Sequence, residues 1–499
     1  MLLKPWPKNP IIYEINTWVW LQDLSQLYEK TVTLATIPAH ELDVIAELGV
    51  HAVWFMGVWE RSPESTGIGR EHPGLQAECR RVLLDFSPRD LVGSPYSVHR
   101  YIVDEHLGGP GGLAAARESL AERGIRLVLD FVPNHVAVDH PWVFEHPDYL
   151  MQGDAEDLAS APDEFFQAGG KVFAHGRDPY FAPWTDVVQI NCFSPGLRHT
   201  AIEMLRDIAD QCDGVRCDMA MLVLNHVFVQ TWGQRAGDLP EEEFWPDVVR
   251  STRAKHPGFL FVAEAYWDLE RELHEQGFDY CYDKRLYDRL VHETAESVLL
   301  HLTAEVAYQE KLVRFIENHD EPRAAAIFGG QRSRAAALAA STLPGAKLFQ
   351  HGQFEGREVK MPVQLGRSPA EPTNSKLREF YRTLLKEINN SVFREGEWLL
   401  CEGSGWPNND SHFNLAAWCW RKGNALRLIV INLSDASAQG QIHLPWNDLV
   451  GRSWRLVDAF SGEIYKRDGD EMIDPGMYVD LEPWGFHFLK FDIYVDNDI

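Results

Sequence analysis

Leu127-Val-Leu-Asp-Phe-Val-Pro-Asn-His135 is an apolar run, interrupted by Asp130, that changes to polar at its end. A strand buried on both faces reads this way, because a parallel sheet covered by helices leaves no face for alternating polar residues. The strand delivers Asp130, Asn134 and His135 towards its C-terminal end. Three further stretches repeat the pattern. Asp213-Gly-Val-Arg-Cys-Asp-Met-Ala220 presents Arg216 and Asp218, Phe259-Leu-Phe-Val-Ala-Glu-Ala-Tyr-Trp267 ends in Glu264, and Val313-Arg-Phe-Ile-Glu-Asn-His-Asp320 places Asn318, His319 and Asp320 at another strand end. Strands that gather polar groups at one end predict a parallel αβ barrel with its site on that face.

Working outward, strands are expected at Ile11 to Trp20, Ala52 to Trp59, Ile125 to Val132, Gly214 to Asp218, Phe259 to Trp267, Phe278 to Tyr282, Val313 to Asn318 and Ala346 to His351. Helix-length connections separate them, and Ala39 to Leu48 and Gly111 to Arg123 carry the apolar spacing of covering helices. The eight strands predict a (β/α)8 barrel over residues 1–389. Residues 136–198 break the pattern with a Pro-, Gly- and acid-rich stretch too long for a simple loop, and form a candidate insertion after the third strand. A second long connection runs from Glu60 to Leu107. From residue 390 to 499 the period changes to two. Leu415 to Arg421 and Ala425 to Leu433 flank a Lys-Gly-Asn turn, and strands at Gln441 to Leu444, Ser453 to Ala459 and Tyr478 to Lys490 complete an expected antiparallel β-sandwich.

Four ordered strand-end motifs resemble those of glycoside hydrolase family 13, the α-amylase family: Asp130 to His135, Gly214 to Asp218, Val262 to Glu264 and Phe315 to Asp320. The resemblance implies that Asp218 attacks the anomeric carbon and that Glu264 serves first as acid and then as base. It also implies that Asp320 binds sugar hydroxyls and helps distort the ring. His135 and His319 would donate hydrogen bonds to the same sugar, and Arg216 would keep Asp218 ionised, with Asp130 supporting Arg216. Gly93-Ser-Pro-Tyr-Ser-Val-His-Arg-Tyr101 resembles the loop whose Tyr stacks on the sugar, with Tyr96 in that role, although Arg100 stands where relatives often have Asp. The insertion resembles the family's domain B and the C-terminal region its domain C. Two carboxyl groups with separate tasks are what acetal cleavage with retention requires, and Glu264 must stay protonated for its first task.

The chain departs from the pattern after Asp218. Met219-Ala220-Met221-Leu222 replaces the Ala-x-Lys-His of many amylases, so the leaving-group side must be recognised differently. The absent His usually lends its carbonyl to calcium. No cofactor is expected, calcium is left open, and Asn134 is either structural or a calcium ligand.

The 499 residues carry a formal net charge of −27, which disfavours a nucleic-acid backbone or an anionic membrane as partner and suits a neutral sugar. No run of about 18 apolar residues occurs, and Met1-Leu-Leu-Lys-Pro-Trp-Pro lacks the features of a secretory leader. The seven cysteines form no Cys-x-x-Cys pair and suit a reducing compartment, so a cytoplasmic location is expected. Cys217 reads as strand filler beside Asp218. The leading expectation is a retaining hydrolase of α-1,4-linked maltooligosaccharides or α-glucans, with a transglycosylase or α-glucosidase as alternatives. A non-catalytic glycan-binding homologue would have lost one of Asp218, Glu264 and Asp320, and all three are present. A metal hydrolase is disfavoured because no His-x-x-x-His helix pair occurs. Oligomeric state is not legible.

Overall fold

The computed structural model describes residues 5–493. Eight parallel strands, β1 (Ile11–Asn16), β2 (Ala52–Met56), β3 (Arg126–Phe131), β4 (Gly214–Cys217), β5 (Leu260–Ala263), β6 (Tyr280–Tyr282), β7 (Leu312–Arg314) and β8 (Ala346–Gln350), close into a barrel in chain order. Every residue of β2, β3, β4 and β5 is buried, as strands covered on both faces must be. Register sets the site. Arg216 on β4 lies beside Asp130 on β3 and Val262 on β5, so the residues that follow these strands emerge at one level. Gly214 starts β4 because a Cβ there would come within 2.7 Å of the Leu260 Cβ and 2.9 Å of its carbonyl oxygen.

The expected first strand was too long. It stops at Asn16, whose side chain accepts the Val19 N–H at 3.3 Å and caps a helix over Thr17–Leu27. An N-cap is a stronger local signal than the apolar run Thr-Trp-Val-Trp, which fits either element. The covering helices run Ala39–Glu47 and Gly109–Glu122.

Between β3 and β4 the chain builds a five-stranded sheet from His135–Ala137, Trp184–Gln189, Lys171–Gly176, Gln152–Gly153 and Phe165–Ala168. Val136, Val143, Leu150, Phe173, Val188, Ile190 and Leu197 give it a core of its own. Within the Glu60 to Leu107 connection, Trp59–Arg61 pairs with Val98–Val103.

The C-terminal region forms an antiparallel sheet of eight strands. Glu397–Ser404 pairs through its first half with Leu415–Lys422 and through its second with Ala438–His443. One strand therefore carries the sheet from one half to the other. Both halves fill a single core, with Cys419, Leu428 and Phe491 from one and Ile442, Val479 and Leu481 from the other. The run expected as one strand from Tyr478 to Lys490 is two, Met477–Leu481 and Phe486–Ile493.

The chain divides into two compact units. One contains Ile12–Tyr282 and Val359–Ala370, and the other contains Asp283–Glu358 and the chain from Glu371. No helix among the described residues is long and apolar enough to cross a membrane.

Candidate active site

Arg216 organises the first unit's polar cluster. It is 1% exposed, and its Nη1 lies 2.7 Å from Asp218 Oδ1 while Nη2 lies 2.8 Å from Glu264 Oε2. Asp130 Oδ1 is 3.6 Å from the same Nη1. Burial alone would weaken the guanidinium's charge. Glu264 foremost, with the Tyr96 and Tyr282 hydroxyls and Asp218, outweighs that cost and holds Arg216 protonated, well above its ordinary range.

Backbone geometry aims the two carboxylates. The Asp218 N–H donates to the Phe131 carbonyl at 2.8 Å and the Glu264 N–H to the Cys217 carbonyl at 3.0 Å, so each residue extends its strand ladder by one step. Met219 then turns through a left-handed conformation, φ 43°, which an L-residue adopts only under constraint. That turn points the Met219 N–H at Glu264 Oε2, 2.6 Å away, while the Tyr266 hydroxyl donates to Oε1 at 2.7 Å. Cys217 is inert between these residues, because burial pushes its thiol well above the ordinary range despite Arg216.

The remaining candidates of this unit are placed around Arg216. The Tyr96 ring lies over its guanidinium, 5.2 Å from centroid to Cζ. The His135 imidazole donates to the Tyr96 backbone carbonyl, and burial holds its pKa down at about 4, so the ring is neutral. Arg100 turns elsewhere, to Glu60 at 2.6 and 2.9 Å. Asn134 spends both ends of its amide on Gln189: Oδ1 accepts from Nε2 at 2.9 Å and Nδ2 donates to Oε1 at 3.3 Å. Among the described residues no group of three or more His, Cys, Asp or Glu side chains lies together as a metal site would need. Both ends of the Asn134 side-chain amide are thus engaged by Gln189, and no step below depends on a metal.

In the second unit, Asp320 follows β7. Asn318 Oδ1 accepts the N–H groups of Asp320 and Glu321, both at 2.9 Å, and fixes the turn. His319 Nε2 lies 2.8 Å from Asp320 Oδ2. The Asp320 side chain is 42% exposed, whereas that of His319 is buried at 4%, so the carboxylate keeps an open face.

Several contributors escape a reading of motifs. Trp54 donates from Nε1 to Asp130 Oδ2 at 3.1 Å, and Arg216 lies over its ring at 5.2 Å. The Gly57 N–H donates to the same Asp130 oxygen at 3.2 Å. In an apolar run such as Ala52–Met56 a Trp reads as core, and only its indole N–H hints at a polar partner.

A barrel whose strand ends carry an Arg-bridged carboxylate pair has the architecture of a glycoside hydrolase. The family model for the alpha amylase catalytic domain matches residues 34–418. The chain is 23% identical over 363 residues to alpha-amylase MalA of Haloarcula japonica, a match covering 70% of this chain and 45% of that protein. It thus spans less than half the length of that relative. Over 205 residues, 37% of this chain and 30% of the relative, it is 31% identical to an oligo-1,6-glucosidase of Parageobacillus thermoglucosidasius. Among solved structures, a maltogenic alpha-amylase, AmyB, from Thermotoga neapolitana shares the fold with a TM-score of 0.70 at 19% identity, covering 98% of this chain and 99% of its own. The chain belongs to the alpha-amylase family of glycoside hydrolases.

Proposed function

We propose that the protein is a retaining hydrolase of α-1,4-glucosidic bonds in maltooligosaccharides or related α-glucans, with Asp218 as nucleophile and Glu264 as acid and base. The observation that carries this reading is the sharing of one buried guanidinium by the two carboxylates. Groups bridged by neighbouring nitrogens of one Arg are held close together, which favours the separation of about 5 Å that retention uses over the roughly 6.5–9.5 Å of inverting pairs.

Protonated Glu264 gives its proton to the glycosidic oxygen as that bond breaks, and Asp218 bonds to the anomeric carbon. The leaving sugar departs as an alcohol. Glu264, now a carboxylate, takes a proton from water, whose oxygen displaces Asp218 and restores the α configuration. Arg216 favours ionised Asp218 as nucleophile and as leaving group. Burial and the like charges of Asp130 and Asp218 favour protonated Glu264, while Arg216, the Met219 N–H and the Tyr266 hydroxyl favour its ionised form, and the first step of the mechanism requires the protonated one. In this reading Tyr96 stacks on the sugar, His319 donates to its hydroxyls, and Asp320 binds the ring and promotes its distortion. His135, a neutral ring whose one N–H serves the Tyr96 carbonyl, holds the Tyr96 loop in place and does not donate to the sugar. The insertion of residues 136–198 walls the cleft, and residues 390–499 form a separate domain. No step calls for a cofactor. Seven free, buried cysteines suit a reducing compartment and therefore an intracellular glucan.

The test is product analysis on maltoheptaose, with proton NMR of the new anomeric centre. Wild type should release short α-configured maltooligosaccharides, and Asp218→Asn should release none. Products longer than the substrate would move the assignment to a transglycosylase. No turnover by wild type would overturn it.

A further inference from the structure

The C-terminal sheet holds an open aromatic pair that this chemistry does not use. Trp406 is 40% exposed and Tyr478 49%, and their ring centroids lie 6.2 Å apart at a tilt of 34°. Tyr478 and Asp480 are the outward residues of Met477–Leu481, just as Gln439, Gln441 and His443 are those of Ala438–His443. Ser404, Gln441 and Tyr478 make one cross-strand row, and Gln439 Nε2 donates to Asp480 Oδ2 at 3.1 Å beside it.

The Trp is held out rather than left out. Trp406-Pro407-Asn408-Asn409 closes a turn with the Asn409 N–H on the Trp406 carbonyl at 2.9 Å and Asn408 at φ 72°, a pattern of Pro then left-handed Asn typical of type II. The Ser411 hydroxyl donates to Asn409 Oδ1 at 2.6 Å and accepts the Gln439 N–H at 2.9 Å, which stitches the turn to the neighbouring strand. Gly405 is obligatory before the turn, because a Cβ there would come within 2.4 Å of His412 Nδ1 and 2.6 Å of the Asn409 carbonyl. Single exposed aromatics need no explanation. Two adjacent half-exposed rings, one presented by so constrained a turn, make a local aromatic patch of the kind that marks a binding surface.

We propose that Trp406 and Tyr478 form an auxiliary, non-catalytic binding site for an α-glucan chain. A glucosyl ring offers C–H bonds on its faces, which pack on the electron-rich face of an aromatic ring, and hydroxyls around its edge. Gln439, Gln441, Asp480 and His443 offer those hydroxyls both donors and acceptors. The outward residues of these two strands include no Lys or Arg, which disfavours a phosphorylated partner. The face also lacks the Leu, Ile and Val expected at the core of a self-association interface. The choice of α-glucan rests on the activity proposed above.

Affinity electrophoresis of the full chain in gels containing soluble starch tests the site, in an Asp218→Asn background so that the starch persists. Trp406→Ala with Tyr478→Ala should weaken the apparent affinity at least fivefold, while Trp406→Phe with Tyr478→Phe should retain most of it. In the otherwise native enzyme, the double Ala substitution should leave kcat/KM on maltoheptaose unchanged. Equal retardation of the double Ala variant and its parent, or no retardation of the parent, would overturn the site. A fall in native mass with retardation intact would assign the face to self-association and overturn it as well. Failure of the proposed activity is a separate outcome, read as the absence of Asp218-dependent cleavage of maltoheptaose.

Discussion

Arg216 grips Asp218 through one terminal nitrogen at 2.7 Å and Glu264 through the other at 2.8 Å. The two carboxylates proposed as nucleophile and acid are therefore held by a single planar group, whose geometry a lysine cannot copy because its ammonium is one compact point. Arg216→Lys should keep the charge and lose the fork. The expected result is a fall in kcat of about two to three orders of magnitude, with a smaller change in KM. A kcat within a factor of three of wild type would show that charge alone suffices. Circular dichroism and the melting temperature must confirm that the variant folds.

The turn after each carboxylate supplies the second prediction. The Tyr266 hydroxyl donates to Glu264 Oε1 at 2.7 Å. A donor favours the ionised carboxylate, so its removal favours the protonated form. In Tyr266→Phe the basic limb of the pH profile of kcat/KM should therefore move to higher pH, by about one to two units for a hydrogen bond to a charged group. An unmoved limb, or one displaced to lower pH, would remove Glu264 from the role of acid.

These relationships differ in how far the sequence discloses them. Asp218 and Glu264 are legible because each ends an apolar run, and a buried strand reserves polarity for its end. Trp54 is not, since a Trp inside Ala52–Met56 has the pattern of any core residue. Tyr266 and Met219 act through a hydroxyl direction and a left-handed backbone turn, neither of which leaves a mark on residue type. The same limit hid the break between the last two strands. Glu482-Pro-Trp-Gly485 closes through the Gly485 N–H on the Glu482 carbonyl at 2.8 Å with Trp484 at φ 56°, and Asn432 Nδ2 donates to the carbonyls of Leu481 and Glu482. Pro483 and Gly485 are turn signals that the sequence does carry, whereas the Asn432 bonds that hold the turn come from some fifty positions away.

Azide separates the two carboxylates by product. In Asp218→Gly an azide ion can occupy the vacated space and attack the α-linked substrate directly, giving a β-glycosyl azide after a single inversion. In Glu264→Ala, with an activated aryl glycoside, Asp218 still forms the glycosyl ester, and azide then displaces it to give the α-glycosyl azide. Proton NMR of the anomeric centre distinguishes the two. The same anomer from both variants would refute the division of roles.

A further prediction concerns stability, through His140. Its Nδ1 accepts the Trp142 N–H at 3.2 Å, and burial, aided by His99, pushes its pKa down to about 3. The folded protein thus keeps this ring neutral, while the unfolded chain binds a proton as pH falls below about 6.5. Because only the unfolded state gains that proton, stability must decline as pH drops from about 6.5 towards 3, and the penalty is absent above that window. His140→Asn places an amide oxygen where Nδ1 accepts but adds no titrating group. Urea unfolding between pH 7 and pH 5 should show a shallower loss of stability in the variant, by at most about 1.4 kcal/mol per pH unit. Parallel pH dependence in the two proteins would mean that His140 titrates alike in the folded and unfolded states.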